Sequence, residues 1–176
     1  MFIHETVLKE EAIDLLQIDS KGVYVDCTLG GAGHSQLIVS KLSAAGTLIG
    51  LDQDSAALNI ANERLSQAEC KLYLRKSNFI HLEEVVRELG FNQVDGILFD
   101  LGVSSPQLDE SERGFSYHQD APLDMRMDKD QDLKAYHIVN EWSEEDIARI
   151  LKEYGEERFA KRIARRIMKE REKQKI

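Results

Sequence analysis

The segment Val23-Tyr-Val-Asp-Cys-Thr-Leu-Gly-Gly-Ala-Gly-His34 passes from a short β-rich run into a cluster of glycines. Outward from it, apolar runs typical of strands alternate with apolar spacings typical of helices. We predict strands at 23–28, 46–51, 71–75 and 94–99, and helices at about 5–16, 35–42, 55–65 and 82–89. Strands that alternate with helices of this length form βαβ units, so the sequence predicts an α/β fold with a parallel sheet.

The rest of the chain loses this alternation after Phe99. Residues 101–128 hold both prolines and show no sustained periodicity, and a loop of this length is more often functional than idle. Helical signals follow. Ser143 and the acidic residues after it resemble a capping box, Gly155 is interpreted as a helix stop, and a last helix is predicted from about Phe159.

The charge of the chain is unevenly distributed. The formal net charge is −9, yet nine basic and only two acidic residues lie between Arg158 and Ile176, which indicates either a solvated helix face or a nucleic-acid contact. No apolar run approaches the ~18 residues that cross a bilayer, and the amino-terminal residues do not resemble a signal peptide. We therefore predict a cytoplasmic protein without a membrane or metal site, in which Cys27 and Cys70 are buried thiols.

The glycine cluster follows the first predicted strand, at the end where ligands bind in open α/β sheets. Glycines there let the backbone approach a ligand closely. The dinucleotide fingerprint G-x-G-x-x-G is not met, because Gln36 stands where the third glycine belongs, and the Gly-Lys-Ser/Thr of a phosphate-binding loop does not follow. A ligand-binding turn and an ordinary βα turn remain equally compatible with this segment.

Asp52 and Asp54 lie at the end of the second predicted strand, about 20 residues after the glycines. A carboxylate at this place can accept both hydroxyl hydrogens of a ribose, which favours an adenosine-containing ligand. Asp54 directly precedes a helical segment and is better explained as a helix N-cap. We assign the ribose role to Asp52.

The segment Asp100-Leu-Gly-Val-Ser-Ser-Pro-Gln107 follows the fourth predicted strand. Amino-group methyltransferases carry a short polar, proline-containing motif here, written Asp/Asn-Pro-Pro-Tyr/Phe. An exocyclic cytosine amine is a poor nucleophile because its lone pair is delocalised, and acceptors for its two N–H bonds would favour a pyramidal nitrogen. Asp100 and the turn through Ser104, Ser105 and Pro106 could supply those acceptors. An ordinary turn after a strand is the alternative.

Together these stretches resemble the MraW/RsmH family of ribosomal RNA small-subunit methyltransferases. The matching runs are His4-Glu-Thr-Val-Leu-Lys-Glu-Glu11, Asp26 to Ser35, Asp95 to Asp109, Arg113-Gly-Phe-Ser-Tyr117 and Pro122 to Asp128. The resemblance covers essentially the whole chain. It implies a Rossmann-like class I methyltransferase fold with a helical insertion subdomain.

The resemblance implies transfer of a methyl group from S-adenosyl-L-methionine to the N4 amine of a cytidine in the decoding region of 16S ribosomal RNA, in the small subunit. It divides the chain into a cofactor-binding domain at 1–105, a substrate loop at 106–128 and a helical insertion at 129–176. The residues it assigns to the cofactor are Ala32, Gly33, His34, Asp52, Phe79, Asp100 and Gln107, and those it favours for catalysis are Asp100, Ser104, Ser105 and Pro106. Ala32 stands where the family usually has glycine, and Phe79 without the resemblance would be assigned to the core.

Members of the family are considerably longer than 176 residues. We therefore expect an incomplete sheet here, whose exposed edge favours homo-oligomers. The alternative function is that of a truncated, non-catalytic fragment that binds cofactor or RNA. An NAD-dependent oxidoreductase is a third hypothesis, disfavoured by Gln36 and by the Ser-Ser-Pro motif.

Overall fold

A parallel four-stranded sheet forms the centre of the first part of the chain. The computed structural model describes residues 6–176. The strands are β1 (Val23–Asp26), β2 (Thr47–Asp52), β3 (Lys71–Lys76) and β4 (Gly96–Leu98). They are ordered β3-β2-β1-β4, and every pair is parallel. The predicted α/β fold is therefore confirmed.

Both faces of the sheet are covered, as a parallel sheet requires. The helices of this part are α1 (Lys9–Leu16), α2 (Gly33–Lys41), α3 (Ser55–Arg64) and α4 (Leu82–Glu88). Tyr24 and Leu48 pack in one apolar cluster with residues of α1, α2 and α3, whereas Val25 and Ile49 pack in a second cluster with α4. Neighbouring strand residues enter different clusters because side chains alternate between the two faces.

The ends of several elements differ from the predicted bounds. Glu5, the first residue of the helix predicted at 5–16, and His4 of the first matching run lie outside the described residues. Residues 6–8 are described but are not helical, and α1 begins at Lys9. The strand predicted at 94–99 is shorter, because side-chain hydrogen bonds flank its ladder. Asp95 Oδ2 accepts the N–H of Val23 (2.7 Å), and the N–H of Asp100 donates to Thr28 Oγ1 (2.7 Å).

The chain divides into two compact units, the first ending at Ser105 and the second running from Pro106 to Ile176. The segment predicted to lack regular structure contains a short helix, α5 (Ser105–Asp109), and a 3₁₀ turn at Ser111–Arg113. The loop that follows this turn is stabilised by a side chain of the same segment: buried Arg113 donates to the carbonyls of Arg126 (2.9 Å) and Met127 (3.2 Å). Such side-chain-to-backbone bonds give no periodic signal in a sequence.

Three further helices follow: α6 (Ala135–Glu141), α7 (Glu144–Glu153) and α8 (Ala160–Arg171). The predicted cap at Ser143 is confirmed, because its hydroxyl accepts the N–H of Asp146 (3.0 Å). The stop predicted at Gly155 is confirmed, because α7 ends at Glu153 and Gly155 directly follows its C-cap residue, Tyr154. Glu156 takes the left-handed conformation (φ +50°), and Gly155 is needed because a Cβ there would lie 2.8 Å from the Leu151 carbonyl oxygen. Within residues 6–176, we find no helix long and apolar enough to span a membrane.

Candidate cofactor-binding and active site

The order of the strands creates a crevice between β1 and β4. The chain proceeds from β1 to β2 and β3 on one side, whereas β4 pairs with the other side of β1. This reversal is a topological switch point, where open α/β sheets bind ligands at the carboxyl ends of the strands. Asp26 ends β1, Asp52 ends β2, and Asp100 follows β4 by two residues.

The glycine turn between β1 and α2 has a tight backbone. Gly30 (φ +47°) and Ala32 (φ +60°) both adopt left-handed conformations. That conformation costs an L-residue about 1–2 kcal/mol, which explains why glycine is the easier residue where this chain has Ala32. A Cβ on Gly33 would collide with the side chain of Thr6. The left-handed turn also starts α2 two residues earlier than predicted.

Asp52 is oriented by the same turn. Its Oδ2 accepts the N–H of Gly30 (3.0 Å), and its Oδ1 accepts the N–H of Asp54 (2.8 Å). Burial raises the pKa of this carboxyl above its usual value. The backbone N–H groups of Gly30, Asp54 and Gln53 all donate to this carboxylate and oppose that rise, so a ribose hydroxyl would share the carboxylate with three N–H groups. The cap assigned to Asp54 is confirmed, since its side chain accepts the N–H of Ala56 (3.0 Å).

The side chains of His34 and Asp100 lie close together near the carboxyl ends of β1 and β4. The buried His34 ring has Nε2 at 3.1 Å from the Val7 carbonyl oxygen. Because a carbonyl can only accept, Nε2 carries the hydrogen and Nδ1 keeps its lone pair in the neutral ring. Nδ1 lies 3.7 Å from Asp100 Oδ2, and the Asp100 side chain is 53% exposed. Asp100 therefore lies next to a hydrogen-bonded histidine, and about half of its side chain is accessible to a ligand.

Phe79 lies in a 3₁₀ turn after β3 and is partly buried against the second apolar cluster. Its ring meets Phe99 edge to face, with the centroids 5.6 Å apart. Phe99 is itself 46% exposed. The adenine contact assigned to Phe79 stays a prediction.

The remaining assigned residues are consecutive in the sequence, and the first unit ends in the middle of them. Ser104 and Ser105 end the first unit, whereas Pro106 and the buried Gln107 begin the second. The predicted turn is the first turn of α5, and the Pro106 carbonyl accepts the N–H of Glu110 (3.0 Å). The catalytic and cofactor roles of these four residues stay predictions.

Two features of the site were missed by the sequence interpretation. Asp26 is fully buried, accepts hydrogen bonds from Ser35 Oγ (2.6 Å) and the N–H of Thr28 (3.1 Å), and has a pKa raised to about 7, chiefly by burial. Its position at the end of the apolar run 23–26 could have identified Asp26 from the sequence. The bond from Asn78 Nδ2 to Gln53 Oε1 (3.1 Å) gave no such signal, because it depends on the pairing of β2 with β3.

The cysteines take no part in this site. Cys27 and Cys70 are free and buried as predicted, and burial raises the pKa of the Cys27 thiol to about 12. Over residues 6–176, no group of three or more His, Cys, Asp and Glu side chains is placed to hold a metal ion.

The parallel sheet, its switch point and the glycine turn define a Rossmann-like α/β protein. The family model described as the MraW methylase family matches residues 1–176. The chain belongs to this family, which confirms the resemblance given by its motifs.

Two curated relatives are both described as ribosomal RNA small subunit methyltransferase H. The protein of Brevibacillus brevis is 60% identical over 175 residues, covering 99% of this chain, and that of a Paenibacillus species is 61% identical over 178 residues, covering 98%. The chain spans only 56% of the length of each relative.

A solved structure from Clostridium thermocellum, provisionally described as an rRNA-methylase, shares the fold. It has a TM-score of 0.50 and 16% identity, and the match covers 58% of this chain and 55% of that one. At this identity the likeness concerns the fold alone.

Proposed function

We propose that this chain carries the cofactor half of an S-adenosylmethionine-dependent methyltransferase. Its substrate is the N4 amine of a cytidine in the decoding region of 16S ribosomal RNA. The observation that carries the proposal is the half-exposed Asp100 carboxylate beside His34 at the switch point of a MraW-family sheet. The activity takes place in the cytoplasm, on the small ribosomal subunit.

The residues at the crevice fit an adenosine-containing cofactor. Asp52 is assigned to the ribose hydroxyls, and the tight turn at Ala32, Gly33 and His34 is assigned to the amino-acid end of the cofactor. Phe79 offers an apolar surface for the adenine, and Gln107 is assigned to complete the cofactor site. When bound, S-adenosylmethionine supplies a methyl group activated by its sulfonium.

Asp100 is assigned to the amine of the substrate. Its carboxylate accepts one N–H of the cytosine amine, which weakens conjugation with the ring and gives the nitrogen a usable lone pair. A backbone carbonyl of the Ser104–Pro106 segment accepts the other. The Asp100 carboxylate lies 3.7 Å from the ring of His34, which is bonded to the Val7 carbonyl. These acceptors act most strongly when the nitrogen becomes positively charged, so they stabilise the transition state more than the bound substrate.

The test uses a chimera that joins this chain to the remaining segment of the Brevibacillus brevis relative. Small-subunit particles are incubated with the chimera and S-adenosylmethionine, and their nucleosides are analysed by mass spectrometry. We expect N4-methylcytidine at one position, and its loss in Asp100→Ala while S-adenosylhomocysteine affinity stays nearly unchanged. Methylation elsewhere would contradict the substrate. A parallel collapse of cofactor affinity would show that Asp100 is chiefly a cofactor ligand.

A non-catalytic binding fragment is the second candidate, favoured by the 56% share of its relatives that the chain spans. This candidate predicts that the chain alone binds S-adenosylhomocysteine but does not methylate ribosomal particles. Turnover equal to that of the full-length relative would exclude it.

A further inference from the structure

The connection between α7 and α8 presents an aromatic ring to solvent. Phe159 directly precedes α8 and is 57% exposed. Its backbone is held in place, because its N–H donates to Glu157 Oε1 (2.7 Å). The Arg162 guanidinium stands 4.5 Å from the ring centroid, in a cation–π arrangement.

Packing of the two helices does not account for this ring. The buried contacts are made by small residues of α8, Ala160 and Ala164, and by Ile147 of α7. Fully burying a Phe side chain is worth about 1.5–3 kcal/mol, and much of that stabilisation is forgone here. An exposed aromatic ring on a charged surface offers a flat apolar face to a ligand.

The surroundings of Phe159 are basic. An open pocket of about 580 Å³ beside the ring is lined by the cations Lys152, Arg158, Lys161 and Arg162 and by the carboxylates Glu156 and Glu157. Glu157 already accepts the N–H of Phe159. Nine basic and two acidic residues between Arg158 and Ile176 extend the positive charge along α8. The surface is therefore complementary to a polyanion.

We propose that Phe159 and Arg162, with Lys152, Arg158 and Lys161 around them, form a stacking site for an unpaired RNA base. The base packs on the free part of the Phe159 ring, and the surrounding cations contact the flanking phosphates. Aromatic rings and guanidinium planes bind splayed bases of single-stranded RNA in this way. The RNA partner rests on the proposed function, but this site is additional to the residues assigned to the reacting cytidine.

Fluorescence anisotropy with two labelled probes separates base stacking from phosphate attraction. One probe is hexauridylate, and the other is an abasic ribose-phosphate hexamer of the same charge. Since one stacked base contributes about 1–3 kcal/mol, we expect hexauridylate to bind roughly 5- to 150-fold more tightly than the abasic probe. Equal affinities for the two probes would overturn the proposal.

The variants identify the ring responsible. Phe159→Ala removes the preference for hexauridylate and Phe159→Trp retains it, while circular dichroism checks the folding of both. Tyr154→Ala is the matched control, because Tyr154 is 79% exposed in the same connection but does not line the pocket. An unchanged preference in Phe159→Ala, or an equal loss in Tyr154→Ala, would contradict the assignment.

Two further measurements separate the remaining explanations. If Phe159→Ala abolishes self-association in sedimentation but leaves the base preference intact, the ring binds a second copy and the proposal is wrong. S-adenosylhomocysteine binding is measured on the same samples. Its absence together with a retained base preference would contradict the proposed function and leave the stacking site standing.

Discussion

Asp52 combines the properties that a ribose-binding carboxylate needs. It ends a central strand at the edge where ligands bind, and the backbone N–H groups of Gly30, Asp54 and Gln53 fix its orientation. Asp54, two residues later, uses its carboxylate to cap α3. The two side chains therefore have different predicted effects when they are removed.

Asp52→Ala is expected to weaken S-adenosylhomocysteine binding by about 1–3 kcal/mol, the range for hydrogen bonds to a charged group. Asp54→Ala is the matched control and should lower the free energy of unfolding by about 1 kcal/mol through the lost cap, with little effect on affinity. Calorimetry and urea unfolding of both variants provide the measurements. Unchanged affinity in Asp52→Ala would exclude the ribose role.

Asp26 predicts a pH-dependent contribution to stability. Its pKa is raised to about 7 in the folded state, chiefly by burial, from its ordinary value of 3.8. The folded protein therefore retains a proton that the unfolded chain loses above about pH 4, and the stability from that proton is lost as the pH rises towards 7. Relative to Asp26→Asn, the wild-type chain should become less stable between pH 5 and pH 8.

Asp124→Asn is the control for this pH effect. Hydrogen bonding to Arg126 lowers the pKa of Asp124, so the contribution of this group is lost only when the pH falls below that window. Urea unfolding at pH 5 and pH 8 should therefore give a constant difference for Asp124→Asn. A constant difference for Asp26→Asn as well would mean that Asp26 is ionised throughout.

At the level of elements, helix α7 depends on its N-cap residue, Ser143. The Ser143 hydroxyl accepts the N–H of Asp146 (3.0 Å) and donates to its carboxylate (2.7 Å). Ser143→Ala should cost about 1 kcal/mol of stability, followed through the fluorescence of the neighbouring Trp142. Ser66→Ala removes an exposed hydroxyl that donates to the Glu63 carbonyl, and it should change stability by less than about 0.5 kcal/mol. Equal effects would show that the cap contributes nothing.

Sequence periodicity predicted the parallel sheet because the strands β1 and β2 are apolar runs bounded by turn residues. It placed Asp52 and Asp100 at strand ends, and those positions are observed. It could not predict that His34 is held by the Val7 carbonyl or that Asp95 closes the end of β4. Such contacts depend on tertiary proximity, which leaves no periodic pattern in the chain.

At the scale of the molecule, β4 is an edge strand of the sheet formed within residues 6–176. Among the described residues this strand pairs only with β1, and Ile97 (41%) and Phe99 (46%) are substantially exposed. Exposed apolar edge strands seek a partner. We expect sedimentation velocity to show association that increases with concentration and is reduced in Ile97→Lys. Leu15→Lys, at an exposed position on helix α1, is the control. A monomer at high concentration would contradict this expectation.

Isothermal titration calorimetry of this chain with S-adenosylhomocysteine, and separately with NAD, tests the central assignment most directly. The crevice between β1 and β4, with Asp52 at the end of β2, predicts one S-adenosylhomocysteine site that is weakened in Asp52→Ala, and no NAD binding. Absence of binding to S-adenosylhomocysteine by the folded chain, or comparable binding to NAD, would contradict it.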